Sequence, residues 1–249
     1  MVLRNFVDKV RRYGVFQKEE WHGFLITVLV LSLVFSFDEW GSTKFDVSEG
    51  FANLLLAVII IFFSVFIHHA AQRLFALWYG FRPEHILWWQ GLTFSGLITV
   101  FSNGAVKLFP SSALMIHHLP THRLGFYRYG LNFKSFASIA AVGPAANLLL
   151  AGVLRVVGEF VGLPAEFVAK AYFFNLLFAG FNSLPIPPLD GSRVFYGSRL
   201  LYVFVFSAVA SYIVFSLVGG IRSLPLAVVI GSLCWLLFYI FFEHGWSSS

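Results

Sequence analysis

Six apolar runs, near 23–37, 51–79, 135–158, 167–184, 200–219 and 224–242, constrain this chain more than any other feature. A helix needs roughly 20 such residues to cross a bilayer core. Inside that layer every backbone N–H and C=O must find its partner within the protein, which favours helices. The predicted fold is an all-α polytopic membrane protein with about six transmembrane helices, in one integral membrane domain over 1–249. Composition agrees: 58% of residues are hydrophobic and only 12% charged, unlike an ordinary soluble domain. The single cysteine, Cys234, excludes an intrachain disulfide and a Cys-rich metal site. No basic tract with interleaved aromatics points to nucleic acid, so no nucleic-acid partner is expected. The first run leads into "DEWGSTKFD" rather than a small-residue cleavage site, so it is expected to stay as an anchor.

Lysine and arginine placement sets the expected orientation. Arg4, Lys9, Arg11, Arg12 and Lys18 precede the first span, whereas Lys44 stands among Asp38, Glu39, Asp46 and Glu49 after it. The positive-inside bias puts the N-terminus in the cytoplasm. The 80–134 connection, "DGSRVFYGSR" and the C-terminus then lie on the same side. The basic N-terminal stretch also reads as a lipid-surface helix, which is compatible with that orientation.

The stretch "FFSVFIHHAAQRLFALWYG" (62–80) places two histidines, a glutamine and an arginine in the second run. Polar groups at bilayer depth are costly and mark functional sites or interhelical hydrogen bonds. A helix starting near residue 51 carries His68 roughly 25 Å along its axis, past the midplane toward the cytoplasm. The fourth run closes with "FNSLPIPPLDGSRV", whose prolines end the helix and deliver Asp190 to a similar depth. By itself this is either a site or a Pro-rich helix exit with a solvated aspartate.

These residues carry a resemblance. "NSLPIPPLDG" (182–191) resembles the asparagine-to-LDG motif of the site-2 protease family of intramembrane zinc metalloproteases, and "AVGPAANLLLA" (141–151) resembles its glycine-proline-asparagine motif. His68 falls on the first histidine of that family's HExxH helix, and the likeness spans about 51–199. The resemblance implies zinc on His68, Asp190 and a second histidine, with a glutamate as general base. Here the glutamate position is His69 and the second-histidine position is Gln72. Gln72 shares a face with His68 but is a weak zinc donor, so any zinc affinity is expected to be weakened. His69, about 100° around the helix, replaces the base better than the ligand. The resemblance further implies substrate contacts at Asn147, Asn182 and Pro185. It also implies a small membrane-associated β element between the second and third spans, where "GAVKLFPSSALMIHH" has partial strand character. The plainer reading of both asparagines is interhelical hydrogen bonding.

His117, His118 and His122 on that connection offer a looped-in third ligand or a secondary metal site, against a plainer role as interfacial histidines. Arg73 is expected to pair with Asp190 when no metal is bound. Three functions remain open: a proteolytically inactive relative that binds transmembrane segments of membrane proteins within the lipid bilayer; an active zinc-dependent endopeptidase with His69 as base; and a small transporter or other binding protein. The last lacks paired interrupted helices in matching halves.

Overall fold

The computed structural model of the chain describes residues 2–41, 44–119, 133–219 and 223–243. Among these the order is α1 (Val2–Tyr13), α2 (Lys18–Phe35), α3 (Val47–Tyr79), β1 (Phe81–Ile86), α4 (Trp89–Phe101), β2 (Ala113–His118), α5 (Phe133–Val161), α6 (Ala165–Asn182), α7 (Asp190–Gly197), α8 (Arg199–Gly219) and α9 (Ser223–Phe238). A π-helical turn, Tyr239–Glu243, follows.

Among the described residues, four segments are long and apolar enough to cross a membrane: α3, Phe133–Gly158 of α5, Arg199–Ser216 of α8 and Pro225–Glu243. They make the chain a multi-pass integral membrane protein. The other two expected spans are helices of 18 residues that fall short of that criterion. Lys18, Glu19 and Glu20 open α2, while Glu166, Lys170, Asn175 and Asn182 interrupt α6. Both helices bury one face in the bundle, where Leu31, Phe174 and Phe178 are fully enclosed.

α3, 33 residues and about 50 Å long at 1.5 Å per residue, is the axis of the fold. Its start is fixed by the Asp46 carboxylate, which accepts from the backbone N–H of Ser48 at 2.8 Å and Glu49 at 3.2 Å. Its end is fixed by Gly80, whose φ of 86° ends the helix in the left-handed conformation open to glycine. The chain then turns directly into β1. β1 pairs antiparallel with β2, from Phe81 opposite His118 to Ile86 opposite Ala113. The expected β element is thus a two-stranded pair. The connection also contains α4, which the hydropathy reading merged into a loop, and within "GAVKLFPSSALMIHH" the strand is confined to 113–118.

α5 crosses α3 closely. A Cβ on Gly143 would fall 2.5 Å from His68 Nε2 and 2.6 Å from Gln72 Nε2, so only glycine permits this approach. Beyond α6 the proline-rich turn brings Asp190 in as the first residue of α7.

Candidate functional site

Two polar stripes run along the buried part of α3. Ser64, His68 and Gln72 repeat every four residues on one, and His69 and Arg73 occupy the neighbouring one. All five side chains are buried. The register thus divides the opening cluster between two environments.

On the first stripe His68 is held at both ring nitrogens. Nδ1 lies 2.7 Å from Asn147 Oδ1, and Nε2 lies 2.8 Å from Asp190 Oδ2. Asn147 Nδ2 already donates to the Ser64 carbonyl at 3.1 Å and to Asn175 Oδ1 at 2.7 Å. Its oxygen must therefore accept, and His68 Nδ1 donates. With Nδ1 protonated, the Nε2–Oδ2 contact is a hydrogen bond only if one proton lies between those two atoms. Asn175 extends the chain, with Nδ2 donating to Ser64 Oγ at 2.9 Å and to the Ala171 carbonyl at 2.8 Å. A continuous hydrogen-bonded line thus joins α7, α3, α5 and α6 through Asp190, His68, Asn147 and Asn175.

Gln72 continues the stripe but faces elsewhere. Its Oε1 accepts from His85 Nε2 at 3.1 Å, and its Nε2 donates to the Ala140 carbonyl at 3.3 Å. His69, on the second stripe, places Nε2 2.9 Å from Ser112 Oγ and stacks on His85 with ring centroids 3.9 Å apart. Its Nδ1 has no hydrogen-bond partner among the described residues. The expected replacement base is thus engaged with Ser112.

Arg73 pairs with Glu20 of α2, not with Asp190 as the sequence suggested. The reason is rotational: five residues place Arg73 about 140° around α3 from His68. Arg73 also donates to the carbonyls of Val15 at 2.9 Å and Tyr13 at 3.4 Å, and lies 4.2 Å over the Phe16 ring. Glu20 accepts the His85 backbone N–H at 3.1 Å through Oε1 and the Gln17 N–H at 2.8 Å through Oε2. Burial, then the Arg73 charge, push the His85 imidazole well below its ordinary pKa. A neutral ring that donates through Nε2 alone agrees with its bond to Gln72.

The remaining expected residues scatter. Asn182 grips the backbone of Phe109 and Ser111. Pro185 is exposed on the α6–α7 turn. His117 pairs with Glu84 at 2.9 Å on the exposed side of the β pair, while His118 packs on Phe81. Successive strand residues face opposite ways, so His117 and His118 point to opposite sides of the β pair. His122 lies outside the described residues. Sequence reading missed Glu20, His85, Ser112 and Asn175. Two signals were available: Asn175 and Asn182 lie seven residues apart on one helical face, and alternation in "FRPEHI" puts His85 on the side of Phe81 and Pro83.

The donor set decides whether zinc fits. His68 Nε2 and Asp190 Oδ2 converge, and Asn147 orients His68 as outer partners of zinc histidines do. A catalytic zinc takes three protein ligands. The third position, Gln72, is an amide whose oxygen is committed to His85, and the described residues contain no group of three His, Cys, Asp or Glu arranged to hold a metal. As arranged, these residues do not fit a catalytic zinc.

The chain is 26% identical over 205 residues to the Methanocaldococcus jannaschii protein named "Putative zinc metalloprotease MJ0611", covering 80% of this chain and 95% of that protein. No protein-family model matches the chain, nor does any solved structure. The chain is a membrane-protein distant homologue of that protein.

Proposed function

We propose that this chain is a site-2-protease-like membrane protein that binds transmembrane segments of other membrane proteins without cleaving them. The observation that carries this reading is the fate of the two altered positions. Gln72 and His69 are each tied into hydrogen bonds that lead away from His68 and Asp190. What remains is a water-excluding polar core whose groups are largely matched by neighbours, suited to holding helices in register. In this reading α2 and α6 also span the bilayer, giving six spans. The termini and the site's end of α3 face the cytoplasm, as the lysine and arginine bias indicates.

The competing reading is an active zinc endopeptidase with an unusual third ligand. It draws on the convergence of His68 and Asp190 with Asn147 behind the imidazole. The two separate cleanly. A binder co-purifies with single-span membrane proteins and leaves a helical transmembrane substrate intact. A protease cleaves that substrate in a chelator-sensitive way, and Asp190→Asn abolishes the cleavage.

A further inference from the structure

The first helix, α1, contributes no side chain to the polar core. At about 100° per residue its sequence sets Val2, Leu3, Phe6, Val7, Val10 and Tyr13 within an arc of about 140°, and its charged and amide residues in the remainder. No residue breaks that division. A helix so divided, basic on its polar side, is suited to lie in a membrane interface with its apolar side toward the acyl chains.

The fold holds α1 at that depth. The Phe6 ring meets Trp78 of α3 edge-on, with centroids 5.3 Å apart. Trp78 is 51% exposed, and its neighbour Tyr79 and Trp21 of α2 are exposed as well. Exposed tryptophan and tyrosine at the end of a span mark the level of the headgroups. At its other end α1 is tied to the bundle by Arg73, which donates to the carbonyls of Tyr13 and Val15. The first of these belongs to the last helical turn, whose carbonyls have no partner within the helix. α3 covers only part of the apolar arc, since Phe6 and Val10 are half-buried but Val7 is 46% exposed.

Charge selects what covers the rest. Residues 1–19 carry five cationic side chains, Arg4, Lys9, Arg11, Arg12 and Lys18, against Asp8 and Glu19. Arg11, Arg12 and Lys18 are exposed. Arg12 meets Asp8 at 3.1 Å, but both side chains are more than half exposed, so that pair is weak and water-screened. An apolar arc flanked by basic groups at headgroup level is complementary to an anionic leaflet, which attracts lysine and arginine near its surface.

We propose that α1, together with exposed Trp78 and Tyr79, is a docking surface for the anionic phospholipids of the adjoining leaflet. Acyl chains cover Val7, and headgroup phosphates meet Arg11 and Arg12. Through Arg73 the docked helix shares one set of hydrogen bonds with buried Glu20.

The test uses the full-length chain in a Cys234→Ser background, with Val7→Cys carrying an environment-sensitive fluorophore. The protein is reconstituted into phosphatidylcholine vesicles with or without phosphatidylglycerol. Acrylamide, an uncharged aqueous quencher, reads whether position 7 is covered by lipid. Quenching is expected to fall roughly fivefold when phosphatidylglycerol is present, because several basic residues act together near an anionic surface. High salt should return it to the phosphatidylcholine value by screening. Arg11→Glu combined with Arg12→Glu should do the same at low salt. Should that charge reversal disturb folding, the salt titration decides on a chain whose basic residues are intact. Equal quenching in both kinds of vesicle overturns the proposal, because contact with α3 and apolar burial alone would then hold the helix. Protection that follows protein density and not phosphatidylglycerol content also overturns it, and makes a second copy of the chain the occupant.

Discussion

The two stripes of α3 use the same residue type to opposite ends. His68 is aimed at a carboxylate and backed by an asparagine. One residue later, His69 lies flat against His85 and bonds to a serine in the chain's own extended segment. The difference lies in neighbours. Ser64 and His68 meet α5, α6 and α7 through Asn147, Asn175 and Asp190, whereas His69 and Arg73 meet α2, His85 of β1 and Ser112. A paired histidine and carboxylate thus stand on one side of the helix, and the other side holds a buried ion-pair network that ties the α1–α2 connection to it.

Breaking the second stripe should cost most. Arg73→Ala strands the Glu20 carboxylate inside the protein, and removing one partner of a buried pair typically costs about 3–5 kcal/mol. Denaturant unfolding in detergent should register it, and replacing both residues with apolar ones should recover much of the loss. A mild effect for the single variant would mean that water reaches Glu20.

On the first stripe, His68→Ala should destabilise by roughly 1–3 kcal/mol, because Asn147 Oδ1 and Asp190 each lose a buried partner. Gly143→Ala is expected to cost a similar ~1–3 kcal/mol through overpacking against the imidazole. If Gly143→Ala is neutral by the same unfolding assay, α3 and α5 are not in the close contact described.

The smallest effect sharpens the contrast through pH. His85 has its folded pKa depressed by burial, so its neutral form is favoured by folding. That contribution is fully present above the unfolded value of about 6.5 and is lost as pH falls toward the folded one. Unfolding midpoints should therefore decline below about pH 6.5, by at most about 1.4 kcal/mol per pH unit from this group. His85→Gln should flatten the slope, and an unchanged slope would show that another group controls it.

How much of this could be read in advance follows from where the signals lie. That His68, Asn147 and Asp190 come together was legible because Asn147 and Asp190 sit in motifs that survive and His68 keeps the first position of an altered one. The pairing of Arg73 was misread because nearness in sequence hides a 140° turn of the helix. α2 and α6 read as spans from their apolar runs, yet their charged ends and inward asparagines fall below the measure that α3 and α8 meet. The 106–112 segment had no period to detect, since its backbone is satisfied by side chains distant in sequence.

Zinc content per chain, measured by elemental analysis on protein purified without chelator and with zinc supplied, tests the central claim most directly. Zinc well below one per chain is expected, unchanged by His68→Ala or Asp190→Ala. One zinc per chain, lost in both variants, would contradict it and mean that a third ligand completes the site.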